Sequence, residues 1–564
     1  MRARHLLLAS LFAACNLSLA QAALPVVGGE PALRTKAASV SQTRMAFSSI
    51  PQSSPALLKM QPYTAATIQR TSLASHGKHL QVGMSRDIAT DAFAPQTFAP
   101  EWLGVASGAQ VARFGVQAQG ARALRAGLAL GNLPAGSVLR VQGPQDSRGV
   151  AISVPGETIN DAQNAAGLFW TPVTDGEIQE IELQVPAGTD TRLLSIRIET
   201  ISHLLVSARD QFAEPAAKSG GPGSAASCHE DVACISSPSE AFVNAARSVA
   251  KMVYTKNGST YVCTGTLVND NDSASQVPYL LSAAHCINSQ TVASTLNTFW
   301  FFEASLCRSK STAEYKQLAG GATLLHANNA TDVALLRLKE RAPEGSYFSG
   351  WDPNPLLANA PVITVHHPAG DLKKVSSGLS LDPAAAGLTT NLQQAVSWLS
   401  GSTESGSSGS ASCSSSGSTA NPSNRDYFAR LDTDYPRLKE ILAAGPAPMD
   451  DYTDMWGTPG ETGWGLSIVQ HGNNKVMAVW FTYDANGQPL WLVMPGGTWK
   501  SVSDYEGPLY RGSGPAYTKS FDEKLVNLQP VGNATLRFAA NGTATWSTTI
   551  DGVTQVKNIQ RFVY

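Results

Sequence analysis

The 564-residue chain lacks an excess of positive charge, since it contains 41 Lys plus Arg and 43 Asp plus Glu. Proteins that bind nucleic acid concentrate basic residues against the phosphate backbone, so this balance argues against a nucleic-acid partner. Beyond its N-terminal segment the sequence also lacks an uninterrupted apolar run of the ~18 residues that a membrane span requires. We therefore expect neither nucleic-acid binding nor a membrane segment in the mature protein.

Cysteine is scarce and unevenly placed. The chain has seven cysteines and no C-x-x-C pair, a spacing that zinc sites commonly use, so we expect no metal and no cofactor. Without Cys15, which lies in the N-terminal segment, an even number remains: Cys228, Cys234, Cys263, Cys286, Cys307 and Cys413. An even set in an exported protein predicts disulfide bonds, although the count alone does not determine which cysteines pair.

Long helical patterns are also scarce, whereas turn-forming residues are abundant. The chain contains 48 Gly and 32 Pro beside 43% apolar residues, which predicts an all-β protein built from many short strands. At ~150 residues per domain the length allows three or four domains.

The N-terminus has the pattern of a secretory signal. It reads "MRARHLLLASLFAACNLSLAQAALP", with basic residues, an apolar core, and small residues at Ala20 and Ala22 that suit cleavage before Ala23. A lipid-modified Cys15 is the alternative, but Phe12 is a poor residue for the leading position of a lipobox. We expect a signal peptide over residues 1–22 and a soluble, secreted protein.

Residues 23–218 contain no cysteine and carry alternating apolar runs separated by the turn signals "LPAGS" and "VPAGT". This pattern predicts a β-sandwich-like domain. The following stretch "EPAAKSGGPGSAASC" indicates an exposed linker that a protease could enter. Lys218 is the basic residue of this linker, and we place the next domain at residues 219–445.

Residues 446–564 differ in composition from the rest, because they hold six of the 11 Trp residues. The runs "KVMAVWFTYDANGQPLWLVM" and "ATLRFAANGTATWSTTI" each place Asn-Gly between apolar segments, a strong hairpin signal. We expect a small β-rich module. Its aromatic residues could stack on a cell-surface polymer, but buried Trp in a small core is the favoured interpretation.

Three motifs in residues 219–445 carry side chains suited to acyl transfer. "LLSAAHCI" places His285 at the end of an apolar strand, and "ATDVALLRL" places Asp332 at the start of another. An Asp beside the second ring nitrogen would hold the His tautomer that acts as a base. "GSSGS" offers Ser408 between glycines, where the amides of Gly406 and Ser408 could face a developing oxyanion. The order His, Asp, Ser is that of the chymotrypsin fold, whereas "TESGSSGSASC" taken alone is typical of a linker.

Together with "VHHP" and "NRDYFARLD", the motifs "AAHC", "TDVALL" and "TESGSSGS" resemble the bacterial lysyl endopeptidases, exported relatives of trypsin. The resemblance implies a chymotrypsin-like double β-barrel protease domain for residues 219–445. It implies that residues 23–218 are a propeptide that assists folding and blocks the site until removed. The implied activity is a serine endopeptidase with the triad His285, Asp332 and Ser408.

The same resemblance implies further roles. Asp426 in "NPSNRDYFARL" matches the carboxylate that binds the substrate lysine, although arginine preference stays open. Cleavage after Lys218 would release the enzyme from its own precursor. The substrates would be peptides or proteins, and the enzyme a monomer. The implied disulfide pairs are Cys228 with Cys413, Cys234 with Cys307, and Cys263 with Cys286.

The chain departs from the family directly after the nucleophile. Relatives have a hairpin there that lines the specificity pocket, whereas here only Ala411 and Ser412 separate "GSSGS" from Cys413. A hairpin needs ~12 residues and does not fit. Three explanations stay open: "SSSGSTANPSN" re-pairs to replace the missing strand, the protein is a catalytically inactive homologue, or the sequence has lost codons at this point. Two hypotheses follow: an active lysyl-type endopeptidase, or a catalytically inactive homologue that serves as a secreted binding or surface protein.

Overall fold

The computed structural model describes most of the chain. The described residues are 24–32, 55–63, 80–91, 100–144, 151–207, 223–271, 276–309, 311–382, 384, 388, 392–407, 425–442, 452–470, 476–501, 503–539 and 542–562. Lys218, Ser408 and Cys413 lie outside these ranges, as does the expected signal peptide. The chain is mostly β, which confirms the predicted fold class. None of the described helices is both long and apolar enough to cross a membrane.

The N-terminal body, residues 55–207, consists of two facing sheets and one long helix. Its elements follow a short strand β1 (Glu30–Pro31) and are β2 (Ala56–Met60), β3 (Leu80–Asp87), α1 (Ile88–Asp91), β4 (Trp102–Gly104), β5 (Gln110–Ala118), β6 (Ala123–Leu130), β7 (Val138–Gln142), β8 (Ile152–Pro155), α2 (Gly156–Ala166), β9 (Phe169–Trp170), β10 (Thr174–Asp175), β11 (Ile178–Val185) and β12 (Ile196–Leu204). One sheet has the order β2-β5-β11-β7-β8, and the other contains β10-β6-β12-β3. Phe114, Leu128 and Ile181 belong to the core between them, so the body is sandwich-like.

The central region, residues 223–442, contains a barrel and a second sheet. Its elements are β13 (Glu230–Asp231), α3 (Glu240–Ser248), β14 (Val249–Lys256), β15 (Ser259–Val268), β16 (Tyr279–Ser282), α4 (Gln290–Ala293), β17 (Asn297–Trp300), β18 (Lys316–Leu318), β19 (Ala322–Asn328), β20 (Val333–Leu338), β21 (Tyr347–Phe348), β22 (Pro361–His366), β23 (Lys374–Leu381), β24 (Gln393–Ser400), β25 (Arg425–Ala429) and α5 (Leu431–Leu442). The barrel follows the order β19-β20-β16-β15-β14-β17-β18, and the second sheet runs β22-β23-β24-β25 with β13 beside β23.

Strand β15 joins the N-terminal body to the central region. Its second half pairs with β16, while its first half pairs with β3, in a register that sets Thr260 opposite Gly83 and Val262 opposite Leu80. The two regions therefore share one continuous sheet. They also share an apolar cluster, in which Val173 and Leu204 of the body meet Phe299 of the central region.

The tail barrel, residues 452–562, closes on itself. Its strands are β26 (Asp454–Gly457), β27 (Gly465–Gln470), β28 (Val476–Tyr483), β29 (Pro489–Met494), β30 (Thr498–Trp499), β31 (Asp504–Ser513), β32 (Asn527–Phe538), β33 (Thr543–Ile550) and β34 (Val553–Arg561). Antiparallel pairing runs from β29 through β26 to β34 and β31, and β31 returns to β29. Both predicted Asn-Gly hairpins are present, β28–β29 and β32–β33. Trp456, Trp480 and Trp546 fill the core, as expected.

Candidate active site

His285 is held in place by the barrel. It lies three residues after the end of β16, and the neighbouring Cys286 forms a disulfide bond with Cys263 of β15. Both cysteines are buried. The sulfur atoms of this pair lie near the His285 ring, but as disulfide sulfurs they are not the thiolates that bind metals. The bond fixes the loop that carries His285 to the adjacent strand.

Asp332 orients the His285 ring. One carboxylate oxygen, Oδ2, lies 2.7 Å from Nδ1 of His285, and Oδ1 accepts a hydrogen bond of 2.8 Å from the His285 backbone N–H. Asp332 adopts φ +62°, in the left-handed region that Asp enters more readily than most residues. Because Nδ1–H donates to the carboxylate, the tautomer that remains presents Nε2 as a base. His285 can therefore act as the general base of a serine hydrolase, with the Asp332 carboxylate orienting its ring.

The loop that leads to Ser408 is tightly packed against the second sheet. Gly406 has φ +97°, and a Cβ atom there would lie 3.1 Å from the carbonyl oxygen of His367. The carbonyl oxygen of Gly406 accepts a hydrogen bond of 2.9 Å from Oγ1 of Thr264. Only glycine suits this position, because a side chain would meet backbone atoms. The loop is therefore fixed up to Ser407, one residue before the expected nucleophile.

A buried polar network supports this loop, and sequence reasoning missed it. Oγ of Ser407 lies 2.7 Å from Nδ1 of His366, whose Nε2 lies 3.1 Å from Oγ of Ser376. Glu404 of the same loop lies 3.1 Å from Nε2 of His229. Burial lowers the pKa of His366 well below its usual value, with a further contribution from His229, so His366 is neutral. The "VHHP" motif marked this position without indicating its contact with the loop.

Asp426 lies on β25 opposite Val396 of β24, and its side chain is 0% exposed. Oδ2 accepts hydrogen bonds from Nε1 of Trp398 at 2.6 Å and from the backbone N–H of Thr403 at 3.2 Å. Oδ1 is buried and has no hydrogen-bond partner among the described residues. Burial raises the pKa of Asp426, and the bonds from Thr403 and Trp398 oppose this shift. A buried carboxylate with an unsatisfied oxygen favours a cationic partner.

The cysteine pairs tie the start of the central region to the barrel. Cys234 is bonded to Cys307, in addition to the Cys263–Cys286 bond. Cys228 is also disulfide-bonded, while its expected partner Cys413 lies outside the described residues. Lys218, the expected cleavage site, and Ser408, the expected nucleophile, lie outside them as well.

Among the described residues, β22 and β25 are edge strands of the second sheet. Within the described part of the chain, no further strand pairs with the outer edge of β22 or of β25. A cavity of about 590 Å³ lies between these strands, lined by residues that include Val362, Val396 and Phe428. Residues 408–424, where the hairpin of relatives was expected, lie outside the described residues, so its loss stays a prediction.

Comparisons with known proteins assign the family. The model of the lysyl endopeptidase C-terminal domain matches residues 222–422, and that of the lysyl endopeptidase N-terminal domain matches residues 56–205. A lysyl endopeptidase of Pseudomonas aeruginosa is 34% identical over 352 residues, which span 59% of this chain and 71% of the relative. The chain belongs to the lysyl endopeptidase family. As a member of this family it is a serine endopeptidase.

Solved structures of proteases also align with this family member. An inactivated protease paralogue of the scabies mite is 13% identical, with a TM-score of 0.27, and covers 36% of this chain and 96% of its own. The protease Anisep of Arthrobacter nicotinovorans is 17% identical, with a TM-score of 0.23, and covers 36% and 98%. Scores of this size do not by themselves establish a likeness, so membership rests on the family models and the Pseudomonas relative.

Proposed function

We propose that this protein is a secreted endopeptidase that cleaves after lysine and is made as a precursor that processes itself. The geometry of His285 and Asp332 carries the proposal, because a carboxylate within 2.7 Å of Nδ1 leaves Nε2 as the base. Ser408 follows Ser407, whose loop bonds through Gly406 to Thr264, the residue next to Cys263 of the disulfide that holds the His285 loop. The expected signal peptide accounts for export and is tested by locating the protein in periplasm or medium.

In the proposed mechanism, Ser408 Oγ attacks the carbonyl carbon of the scissile bond and gives its proton to Nε2 of His285. Asp332 stabilises the imidazolium that forms. The amides of Gly406 and Ser408 donate to the oxyanion of the tetrahedral intermediate. His285 then protonates the leaving amine. In the second half of the reaction, His285 takes a proton from water, the water attacks the acyl carbonyl, and the proton returns to Ser408.

Labelling with a fluorophosphonate tests the nucleophile, because this reagent reacts with an activated serine. We expect the secreted protein to be labelled and Ser408→Ala to lose the label. Ser412→Ala is the matched control, since it changes a serine of the same stretch and should keep the label. A folded wild-type protein that stays unlabelled would support the inactive homologue instead.

Asp426 supports the preference for lysine. The buried oxygen Oδ1 lacks a partner among the described residues, and a substrate ammonium would supply one. Loss of one member of a buried charged pair costs about 2–5 kcal/mol, so Asp426→Asn should lower kcat/KM for lysyl substrates by about 30- to 5,000-fold. Asp432→Asn is the control carboxylate, since Asp432 pairs with Arg430 instead.

The pH dependence gives a second readout for Asp426. Because burial raises its pKa, the carboxylate is protonated at a higher pH than an ordinary Asp. The kcat/KM of the wild type for lysyl substrates should therefore fall as pH decreases through that raised pKa. Asp426→Asn should lack this part of the profile. Mapped cleavage sites in a peptide digest distinguish lysine from arginine preference.

Precursor processing is proposed at Lys218. The N-terminal body pairs with β15 of the central region through β3, so it is part of the fold before cleavage. N-terminal sequencing of the mature enzyme should find Ser219, and Ser408→Ala should leave the precursor uncut. A mature start far from Ser219 would contradict the proposal.

The tail barrel is proposed to contact a cell-surface polymer. Trp491 is 65% exposed and packs its ring edge-to-face with Phe481, at 5.7 Å between centroids. An exposed aromatic face suits stacking on a sugar ring. Pull-down on insoluble cell-wall polysaccharide should retain the wild type and lose Trp491→Ala.

A further inference from the structure

A segment near the N-terminus lies on the central region rather than on the N-terminal body. This anchor segment, residues 24–32, precedes the part of the chain that matches the N-terminal domain model. Its strand β1 pairs antiparallel with β21, so that Glu30 faces Phe348 and Pro31 faces Tyr347. The N–H of Val27 donates to the carbonyl of Trp351, and the carbonyl of Val27 accepts from the N–H of Trp351, each at 3.0 Å.

Side-chain amides of the central region bind the backbone of the anchor segment. Nδ2 of Asn269 donates to the carbonyl of Gly28 at 3.0 Å, and Nε2 of Gln276 donates to the carbonyl of Pro31 at 2.9 Å. Asn354 exchanges two bonds with the backbone of Leu24, at 2.8 and 3.0 Å. Backbone recognition of this kind is typical of a peptide that adds a strand to a sheet edge.

Close backbone approach shapes the same surface. A Cβ atom on Gly29 would lie 2.8 Å from the backbone nitrogen of Gly350, and one on Gly350 would lie 2.4 Å from the carbonyl of Val27. Two facing glycines therefore allow the strands to meet. Beside them, Val27 packs against an apolar cluster that contains Trp351 and Tyr435.

We infer that this surface, formed by β21, Trp351, Asn269, Gln276 and Asn354, is a docking site for the anchor segment that retains the propeptide after linker cleavage. The inference rests on the proposed precursor function. A cut at Lys218 leaves the anchor segment and the N-terminal body on one fragment. That fragment is then held at two sites, β15 and β21, and leaves only when both contacts open.

The test uses the full chain with Ser408→Ala, which prevents self-cleavage, and a recognition sequence for an unrelated protease inserted in the linker. After cutting, the dissociation rate of the two fragments is measured by size-exclusion chromatography after dilution. Deletion of residues 24–32 and Val27→Asp should each accelerate dissociation by about 10²-fold, which is the lower end of the gain from bivalency.

Val26→Asp is the matched control. Val26 is 62% exposed and next to Val27, so it should leave the dissociation rate unchanged. A labelled peptide of residues 24–32 should bind the cut deletion variant, as measured by fluorescence anisotropy, and should not bind the intact wild type. The urea midpoint of each uncut chain verifies folding.

Equal dissociation rates for wild type, Val27→Asp and the deletion variant would overturn the inference. Failure of the proposed function has a different outcome, because the cut is made by an external protease and Ser408 is absent. In that case the fragments remain bound through the anchor segment, while N-terminal sequencing of the natural product finds no cleavage at Lys218.

Discussion

The N-terminal body and the tail barrel flank the same central region but attach to it differently. The body extends the central sheet through β3 and β15 and contributes to a shared apolar cluster. The tail barrel pairs its own first and last strands, and its core cluster contains residues of 452–559 alone. An open sheet edge has unpaired backbone groups that can bond to another strand, whereas a closed barrel has no edge strand. We therefore expect the body to unfold with the central region and the tail barrel to unfold by itself.

The largest expected loss of stability comes from truncating a buried aromatic residue, either in the core shared by the body and the central region or in the core of the tail barrel. Truncation of a buried aromatic residue to Ala costs about 3–5 kcal/mol. Phe299→Ala should lower the free energy of unfolding of the body and the central region together, because Phe299 packs in their shared cluster. Trp546→Ala should destabilise the tail barrel alone. Hydrogen exchange measured by region checks both, and loss of protection in the body without the central region would break the comparison.

The pH dependence of stability should also distinguish the joined body and central region from the tail barrel. Burial lowers the pKa of Lys251 to about 8, and the charges of Asp371 and of Asp175 in the body oppose the shift. The unfolded chain then binds more protons between about pH 8 and the usual Lys pKa of about 10.4, so stability rises with pH in this window.

Stability should rise by on the order of 3 kcal/mol across this window, because the pKa of Lys251 is about 8 in the folded protein and about 10.4 in the unfolded chain. Lys251→Met should flatten this rise for the body and the central region, with no change in the tail barrel. Urea midpoints at pH 7.5 and 10 provide the measurement. A wild type and a variant with parallel pH profiles would contradict the expectation.

A smaller effect should come from a hydroxyl contact across the shared sheet. Oγ of Ser202 in the body and Oγ1 of Thr260 in β15 are both buried and bonded to each other. Ser202→Ala should cost about 1 kcal/mol in the free energy of unfolding of the joined unit. Ser195→Ala, an exposed change in the same body, should stay within about 0.5 kcal/mol. Denaturant titration compares the two variants.

The smallest effect is expected on the outside of the tail barrel. Trp491 is exposed, so Trp491→Ala should change the free energy of unfolding of the barrel by no more than about 0.5 to 1 kcal/mol. The contrast with Trp546→Ala tests whether the barrel depends on its interior. A large loss from Trp491→Ala would show that the outer face is structural, and would weaken its proposed role in polymer contact.

Part of the candidate site follows from local sequence. His285 and Asp332 are adjacent to apolar strands, and the family order of the motifs predicts that they meet, which the 2.7 Å contact shows. The contact of His366 with Ser407 was not foreseen, because these residues are 41 positions apart and neither motif indicates the other. The short spacing between "GSSGS" and Cys413 is visible in the sequence alone, whereas residues 408–424 lie outside the described residues.

The amino-acid sequence by itself determined the short-range features of this protein: strand periodicity, the Asn-Gly hairpins, and the chemistry of the residues at the site. These depend on side chains and turns within a few positions. Tertiary structure alone decided the pairing of β3 with β15, the docking of residues 24–32 on β21, and the burial of the Asp426 carboxylate. The first two rest on backbone hydrogen bonds, which every residue except proline can donate, so composition does not specify them. The third depends on which distant groups fold around one carboxylate.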